Sequence, residues 1–425
     1  MSTQLKFNGW LLIPLIAFLL GLQIIAPSKI WMTLIVGLSA TLLVSWLWAK
    51  QMQQHVGLVR EKRYNWTRVG DRLEERFTLY NDSSLPVLWA EVNDESTLPG
   101  YQPDRVTGVG GHNFTYWTMA GVCYHRGVFN LGPTSLRMGD PLGLFVVIKH
   151  NPVTIPLLVL PPILNLPGIQ VAPGGQVSEG RPRPYAPQPT LLATSVRQYL
   201  PGDSLHMVHW PTSARRDDLY VRTFDGSPSG NWWIILDLDE KVHSGEGDDS
   251  TLEQSISLAA SLVEIGLQGG HAVGLIGHST DPVWLPPDRG DIQRWAILRR
   301  LATIEAGRYP LATLLRRSAE TLGHSASVVI ITPSSDPMWV GPLLHLHTRD
   351  LVPTVMFVGQ DKRPQLEALH ELLIQQRIAS YLMQPEMLKP SIDVTTAAGR
   401  WEWHHTALGR VKPIHRPEGE WEVWQ

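Results

Sequence analysis

Three carboxylates, Asp237, Asp239 and Glu240, stand at the end of an apolar run, Trp232-Trp233-Ile234-Ile235-Leu236. Neighbouring acids have two chemical uses. If their surroundings split their pKa values, one can hold a proton while another accepts one. Together with Asp248 and Asp249 they also offer oxygen ligands to a hard cation such as Mg²⁺. Other candidates are weaker. His206 and His209, and His345 and His347, are spaced like metal pairs, but neither pair has a third ligand nearby in sequence. Cys123 has His125 and Arg126 beside it, cations that can lower a thiol pKa. It falls on an expected strand, where a lone packed cysteine is the ordinary reading. As the single cysteine it also excludes an intramolecular disulfide framework and any thiolate-rich zinc or iron–sulfur site. No Gly-x-x-x-x-Gly-Lys-Ser/Thr loop, His-Glu-x-x-His or Gly-x-Ser-x-Gly occurs, so the phosphate-loop, zincin and serine-hydrolase templates fail.

The elements that must position the acids read as α/β. The run 232–237 is a buried-type strand. Residues 250–267 follow with helical spacing of Leu252, Ile256, Ala259, Ala260 and Val263. A strand at 272–276, a helix at 292–304 and strands at 328–331 and 352–358 come next. A helix at 366–374 and a strand at 381–383 complete the alternation. Strands apolar on both faces, alternating with helices, predict a mostly parallel, doubly wound sheet covered on both sides. Such sheets bind ligands beyond the strand carboxyl ends, where Asp237 and Asp239 stand.

Upstream, residues 56–165 give short alternating runs between turn signals: 76–80, 87–92, 114–119, 127–131 and 144–148. This spacing predicts a small β-sandwich with no catalytic constellation. The Pro- and Gly-rich tract that follows reads as a linker.

The N-terminus explains why charged residues make up only 18% of the chain. Between Trp10 and Ala49 the one charge is Lys29, in the break Pro27-Ser28-Lys29. It separates apolar runs at 10–26 and 30–49, the second long enough for a hydrocarbon core of about 30 Å and the first near the lower limit. Trp10, Trp31, Trp46 and Trp48 lie near the run ends, where amphipathic rings favour the interface. The prediction is a multi-pass cell-membrane protein anchored in the lipid bilayer by a transmembrane hairpin. Lys50, Arg60, Lys62 and Arg63 after it and Lys6 before it place residues 50–425 in the cytoplasm by the positive-inside rule. A formal net charge of −3 argues against a nucleic-acid partner.

The stretch Arg197-Gln198-Tyr199-Leu200-Pro201-Gly202-Asp203 continues through His209-Trp210 and Ala214-Arg215 to Val221-Arg222. It resembles the signature of the domain of unknown function 58 family. Arg126-Gly127-Val128-Phe129-Asn130-Leu131-Gly132-Pro133 and Gly139-Asp140-Pro141-Leu142-Gly143-Leu144-Phe145 resemble two further segments of that family. One departure is His206-Met207, where basic residues are usual. The resemblance implies a bacterial or archaeal membrane protein with a von Willebrand factor A-like α/β domain. Such proteins are often encoded beside a MoxR-type AAA+ ATPase and a transglutaminase-like membrane protein. The implied division is a transmembrane helical hairpin (1–50), a β-sandwich (51–165), a linker (166–195), the signature segment (196–230), the α/β domain (231–390) and a C-terminal tail (391–425).

Domains of the von Willebrand A type often bind Mg²⁺ through Asp-x-Ser-x-Ser after the first strand. Here Asp239 and Lys241 replace the serines, and Pro333 removes a supporting acid. An ammonium at a ligand position repels a dication, so a degenerate, metal-free loop and no cofactor are expected. In the signature, Arg215 and Arg222 are candidate partners for Asp203 or Asp237, and Trp210 is expected to cover the domain junction. Arg197, Tyr199, Gly202, Asp203, His209, Trp210, Ala214, Arg215 and Arg222 form either that internal cluster or a docking surface. The functional expectation is a non-enzymatic interaction scaffold acting with the AAA+ ATPase. The alternative is a hydrolase or transferase using the acids at Asp237, Asp239 and Glu240, which requires a concave pocket there.

Overall fold

The structure, a computed structural model, describes residues 2–172, 193–199, 208–216, 218–224, 231–322, 326–349, 351–359, 363–389, 401–405, 411–415 and 422–424. A strand, β1 (Ser2–Phe7), precedes helices α1 (Leu12–Ile25) and α2 (Lys29–His55). Ser28 caps α2, its Oγ accepting from Ile30 N at 3.3 Å. Helix α2 is long and apolar enough to cross a membrane, at 27 residues and about 40 Å. Helix α1 is shorter than its apolar run, 14 residues or about 21 Å. Residues 8–11 are spent on the turn out of β1, where Asn8 N donates to Leu144 O and Leu12 N to Gly9 O.

The β-rich region comprises β2 (Val56–Lys62), β3 (Trp66–Arg68), β4 (Arg72–Asn81), β5 (Val87–Asp94), β6 (Arg105–Val109), β7 (Asn113–Val122), β8 (Gly127–Leu131), β9 (Thr134–Gly139), β10 (Phe145–Asn151) and β11 (Ile155–Leu160). Sheet β1-β10-β9-β5-β6 packs on the sheet containing β2-β4-β7. Their shared core holds Phe77, Leu79 and Trp117 from one side and Val92, Leu136, Met138 and Val147 from the other. Helix α2 runs into this core without a linker: Ala49 and Met52 are fully buried in it, and β2 begins at the next residue after the helix. A third sheet, β3-β11-β8, faces the α/β region.

Two charges expected at a membrane surface lie inside the sandwich instead. Arg60 and Lys62 are buried, because period two puts them on the inward face of β2 with Val56. Arg60 pairs with Glu75 (2.7 Å) and Asp94 (2.6 Å), and Tyr101 donates its hydroxyl to Glu75. This pairing is what makes the burial tolerable.

The signature region forms β12 (Ala193–Gln198), α3 (Trp210–Arg216) and β13 (Tyr220–Phe224), with β12 and β13 antiparallel. The α/β region then runs β14 (Trp232–Leu236), α4 (Thr251–Gln268), β15 (Val273–His278), β16 (Pro282–Asp288), α5 (Gly290–Thr303), α6 (Leu311–Thr321), β17 (Ser327–Thr332), α7 (Val340–Thr348), β18 (Val352–Phe357), α8 (Arg363–Gln375), β19 (Ala379–Leu382) and α9 (Pro385–Leu388). Its sheet order is β16-β15-β14-β17-β18-β19, parallel except for the edge strand β16. One face is covered by α4 and α5, the other by α6, α7 and α8. The connection reverses between β14 and β17, the switch point where doubly wound sheets open a crevice.

The segment expected as a linker begins as a packed strap. Leu164 and Leu166 join the α/β core, Leu164 N donates to Ser261 Oγ (2.7 Å), and Ala172 N donates to Thr354 Oγ1 (3.1 Å). Burial of these leucines outweighs the turn-forming composition around them. The C-terminal region adds β20 (Trp401–His405), β21 (Val411–His415) and β22 (Glu422–Trp424), and β22 pairs antiparallel with β2.

Candidate functional site

At the switch point the two adjoining strand ends are tied together. Asp237, just past β14, is buried, and its Oδ2 accepts from Thr332 Oγ1 of β17 at 2.6 Å. Asp237 Oδ1 accepts from Asp239 N (3.3 Å), and Thr332 Oγ1 accepts in turn from Ser334 N (3.0 Å). Burial pushes the Asp237 carboxyl up to about 6, more than the Thr332 and Asp239 hydrogen bonds pull it down.

Asp239 is also buried and turns its Oδ1 to the Lys241 amide (3.2 Å), a local turn bond. It is held in place by Gly307: Gly307 N donates to Leu238 O (2.7 Å) and Glu240 N to Gly307 O (2.8 Å). A Cβ at Gly307 would stand 2.5 Å from Ser279 O and 2.7 Å from His278 O, so only glycine passes there. Glu240 points outward to Arg308 at 2.8 Å, both side chains exposed. His243 bridges Asp237 O and Thr251 Oγ1, each at 3.1 Å, and burial lowers its pKa.

The three acids therefore do not converge. A cavity of about 380 Å³ opens nearby, lined by Glu240, His243, Ser250 and Glu253 from the α/β side and by His125 and Arg126 from the β side. Asp237 and Asp239 are not among its walls, so the pocket required by the acid–base alternative does not form on them. Loop oxygens that a Mg²⁺ ion would need are engaged within the chain. One Asp237 oxygen is taken by the Thr332 hydroxyl, Asp239 Oδ1 is taken by the Lys241 amide, and position 241 supplies an ammonium. Among the described residues no group of three or more His, Cys, Asp and Glu side chains is disposed to hold a metal ion.

The cavity wall contains the contact that joins the two regions. Arg126, immediately before β8, donates to Leu301 O and Ile304 O at the carboxyl end of α5 and pairs with Glu253 of α4. A guanidinium there satisfies carbonyls the helix leaves open and meets the negative end of its dipole. Burial lowers the Arg126 pKa to about 10. Trp66 of β3 packs edge-on against Trp295 of α5 with ring centres 4.8 Å apart. His125 meets Asp248 at 2.9 Å. Cys123 has no activating cation: it is fully buried, and burial and Asp71 push its thiol up to about 12.

The signature residues are partly turned outward. His209 N donates to Tyr220 O (2.7 Å), Tyr199 N donates to Leu219 O (2.7 Å), and His209 Nδ1 meets Thr212 Oγ1 at 2.7 Å. Trp210, expected over the domain junction, opens α3 with 65% of its surface exposed. Ala214 and Arg215 on the same helix are exposed as well. Asp237 is closed by Thr332 and not by Arg215. Gly202, Asp203 and His206, and the side chains of Arg197 and Arg222, lie outside the described residues.

Sequence reasoning missed the Thr332–Asp237 bond, His243, Thr251 and the Arg126–Glu253 contact. Thr332 carried a weak signal, standing after a buried-type strand at a carboxyl end. His243 carried none, since its partners are a main-chain carbonyl and a hydroxyl.

Known proteins resemble parts of this chain. It is 26% identical over 242 residues to a Bacillus subtilis (strain 168) protein named uncharacterized protein YeaD, covering 55% of this chain and 58% of that one. It is 24% identical over 159 residues to uncharacterized protein Rv1480 of Mycobacterium tuberculosis H37Rv, covering 36% of this chain and 50% of that one. The chain thus spans about half the length of the curated relatives it matches. Among solved structures, an aerotolerance-related membrane protein from Bacteroides fragilis NCTC 9343 aligns with a TM-score of 0.29 at 17% identity, over 39% of this chain and 98% of that one. Proximal thread matrix protein 1 from the mussel byssus aligns with a TM-score of 0.28 at 14% identity, over 39% of this chain and 47% of that one. Residues 195–361, from the signature through the first five strands of the α/β sheet, match the family described as protein of unknown function DUF58.

Proposed function

We propose that the protein is a membrane-anchored interaction scaffold whose α/β domain is of the von Willebrand factor A type and carries no metal. The observation that carries this reading is a contrast of directions. The acid at the switch point is shut inside by Thr332, while the signature helix turns Trp210 and Arg215 to the outside. Exposed Trp and Arg are the residue types that dominate protein interfaces. The order of the six strands, with one antiparallel edge strand, supports the von Willebrand A assignment. The partner class suggested by the family resemblance is a MoxR-type AAA+ ATPase.

The anchor in this reading is the hairpin of α1 and α2, with the bulk of the chain in the cytoplasm. Both of its ends return to the sandwich, through β1 at one side and β2 at the other. With Arg60 and Lys62 buried, the orientation rests on Lys6 and Lys50, both exposed, with Arg63 beyond.

A photo-crosslinking residue at position 210, used in native membranes, tests the reading. A reproducible crosslinked protein that Arg215→Ala weakens is the expected result. Crosslinking to no protein, or to the same proteins as a probe at Met338, an exposed residue in the α/β region, counts against it.

A further inference from the structure

The hairpin enters one end of the sandwich, and that end has a distinctive rim. The loops there are 82–86, 110–112 and 140–144, together with the turn 8–11 into α1. The register fixes this: β2 leaves α2 at Val56, opposite Asn81, which lies opposite Asn113. In the other sheet, Phe7 pairs with Phe145 and Val146 with Gly139. Trp48 Nε1 donates to Pro86 O at 3.1 Å, so the rim stands level with residue 48 of α2. That is the level at which Trp46 and Lys50, the latter 4.9 Å from the Trp46 ring, mark the end of the apolar stretch.

Alongside the exposed polar residues Asp82, Ser84, His112 and Asn113, the rim carries a set of exposed apolar side chains. Leu142 is 61% exposed, Phe114 60%, Leu88 57% and Trp10 66%. Leu142 is held outward by its turn. Asp140 is fully buried and accepts from Leu142 N (2.9 Å) and Phe145 N (2.6 Å). Gly143 takes the positive φ of 70° that closes the turn. Leu144 packs on Gly9 at the start of the hairpin. The segment Asp140-Pro141-Leu142-Gly143 is thus a braced turn that presents one leucine beside the hairpin's exit.

We propose that this rim is a lipid-contact surface, with Leu142 and Phe114 seated in the interfacial layer of the bilayer around the hairpin. The occupant follows from continuity: the exposed apolar side chains of the rim lie beside the point where the apolar helices leave the sandwich, at the depth set by Trp48. Amphipathic and apolar side chains at that depth bury in the boundary between headgroups and acyl chains. The inference rests on the reading of the hairpin as a membrane anchor.

Full-length protein in phosphatidylcholine–phosphatidylglycerol nanodiscs tests it. Single cysteines at Leu142→Cys and Phe114→Cys carry an environment-sensitive fluorophore. Cys123 stays in place, since it is buried, and the unmodified chain gives the labelling background. Glu95→Cys, at the opposite end of the sandwich, is the aqueous reference, and Leu34→Cys in α2 reports the anchor itself. Lipids spin-labelled near the headgroup should quench positions 142 and 114 at least about threefold more than position 95. Quenching at 142 and 114 equal to that at 95 overturns the proposal. So does fluorophore shielded from water but unquenched by lipid, which would mean that protein covers the rim. If position 34 resists deep-chain spin labels, the anchor reading falls, and the proposal falls with it. Quenching at 34 without quenching at 142 and 114 refutes the proposal alone.

Discussion

Replacing Asp237 by Asn should stabilise the α/β unit at neutral pH, although it removes the residue nearest to the switch point. The carboxyl is pushed up from 3.8 to about 6 by burial, so the folded chain holds this proton more tightly than the unfolded chain does. Its contribution to stability is therefore fully present below about pH 4 and lost as pH rises through about 6. At neutral pH the ionised group costs up to about 3 kcal/mol, taking about 1.36 kcal/mol for each of roughly two pKa units. Asn keeps one oxygen for the Asp239 amide and turns its NH₂ toward Thr332 Oγ1, which then needs another acceptor for its own proton. Losing that bond offsets about 1 kcal/mol or more, so the expected gain is about 1–2 kcal/mol. The assay is hydrogen exchange of the amides at 232–236 and 327–332, in full-length protein in detergent, corrected for intrinsic rates. The wild type should lose local stability between about pH 4 and pH 6.5 while Asp237→Asn does not, so the advantage of the Asn variant should vanish below about pH 5. An Asn variant weaker than the wild type at neutral pH, beside a wild type indifferent to pH, would refute the reasoning. It would mean that a bound cation or an uncounted partner compensates the carboxylate.

Three further outcomes follow from the same geometry. The full-length protein should melt within about a degree of the same temperature in millimolar Mg²⁺ and in EDTA, whereas a cation at 100 times its Kd would add about 2.7 kcal/mol; a Mg²⁺-dependent rise abolished by Asp237→Ala would show a working metal site. Arg126→Met should leave Glu253 and the last carbonyls of α5 without their donor and cost about 3–5 kcal/mol at the contact between the two regions. Limited proteolysis should then cut the 304–310 loop faster, and an unchanged cleavage rate would remove Arg126 as the latch. Protease added outside intact spheroplasts should leave residues 56–425 uncut, and cleavage there would invert the proposed orientation.

What could be seen in the sequence was what period and composition encode locally. Strand β14 was visible as five apolar residues before an acid, and β4 as the alternation around Phe77 and Leu79. The candidate acids were visible for the same reason, and their closure was not. Thr332 lies 95 residues from Asp237, and nothing local says that a hydroxyl will meet a carboxylate across the switch point. Strands β1 and β22 were hidden likewise, since their partners β10 and β2 lie far along the chain. Arg60 and Lys62 were misread for a different reason. Counting charges near a hydrophobic run ignores which face they occupy, and the period-two phase from Val56 would have placed both inward.

The unbroken passage of α2 into the sandwich has a mechanical consequence. With Met52 wedged in the β core and β1 holding the other end of the hairpin, the anchor has neither a swivel nor a slack tether. In the proposed anchoring, the orientation of the hairpin in the bilayer becomes the orientation of the domains attached to it. A bilayer thin enough to tilt a helix of about 40 Å by about 10° would sweep the attached domain sideways by about 7 Å for each further helix length from the pivot. In such an arrangement lipid thickness acts as a lever on whatever the α/β domain touches, and a flexible spacer inserted after His55 would disconnect it.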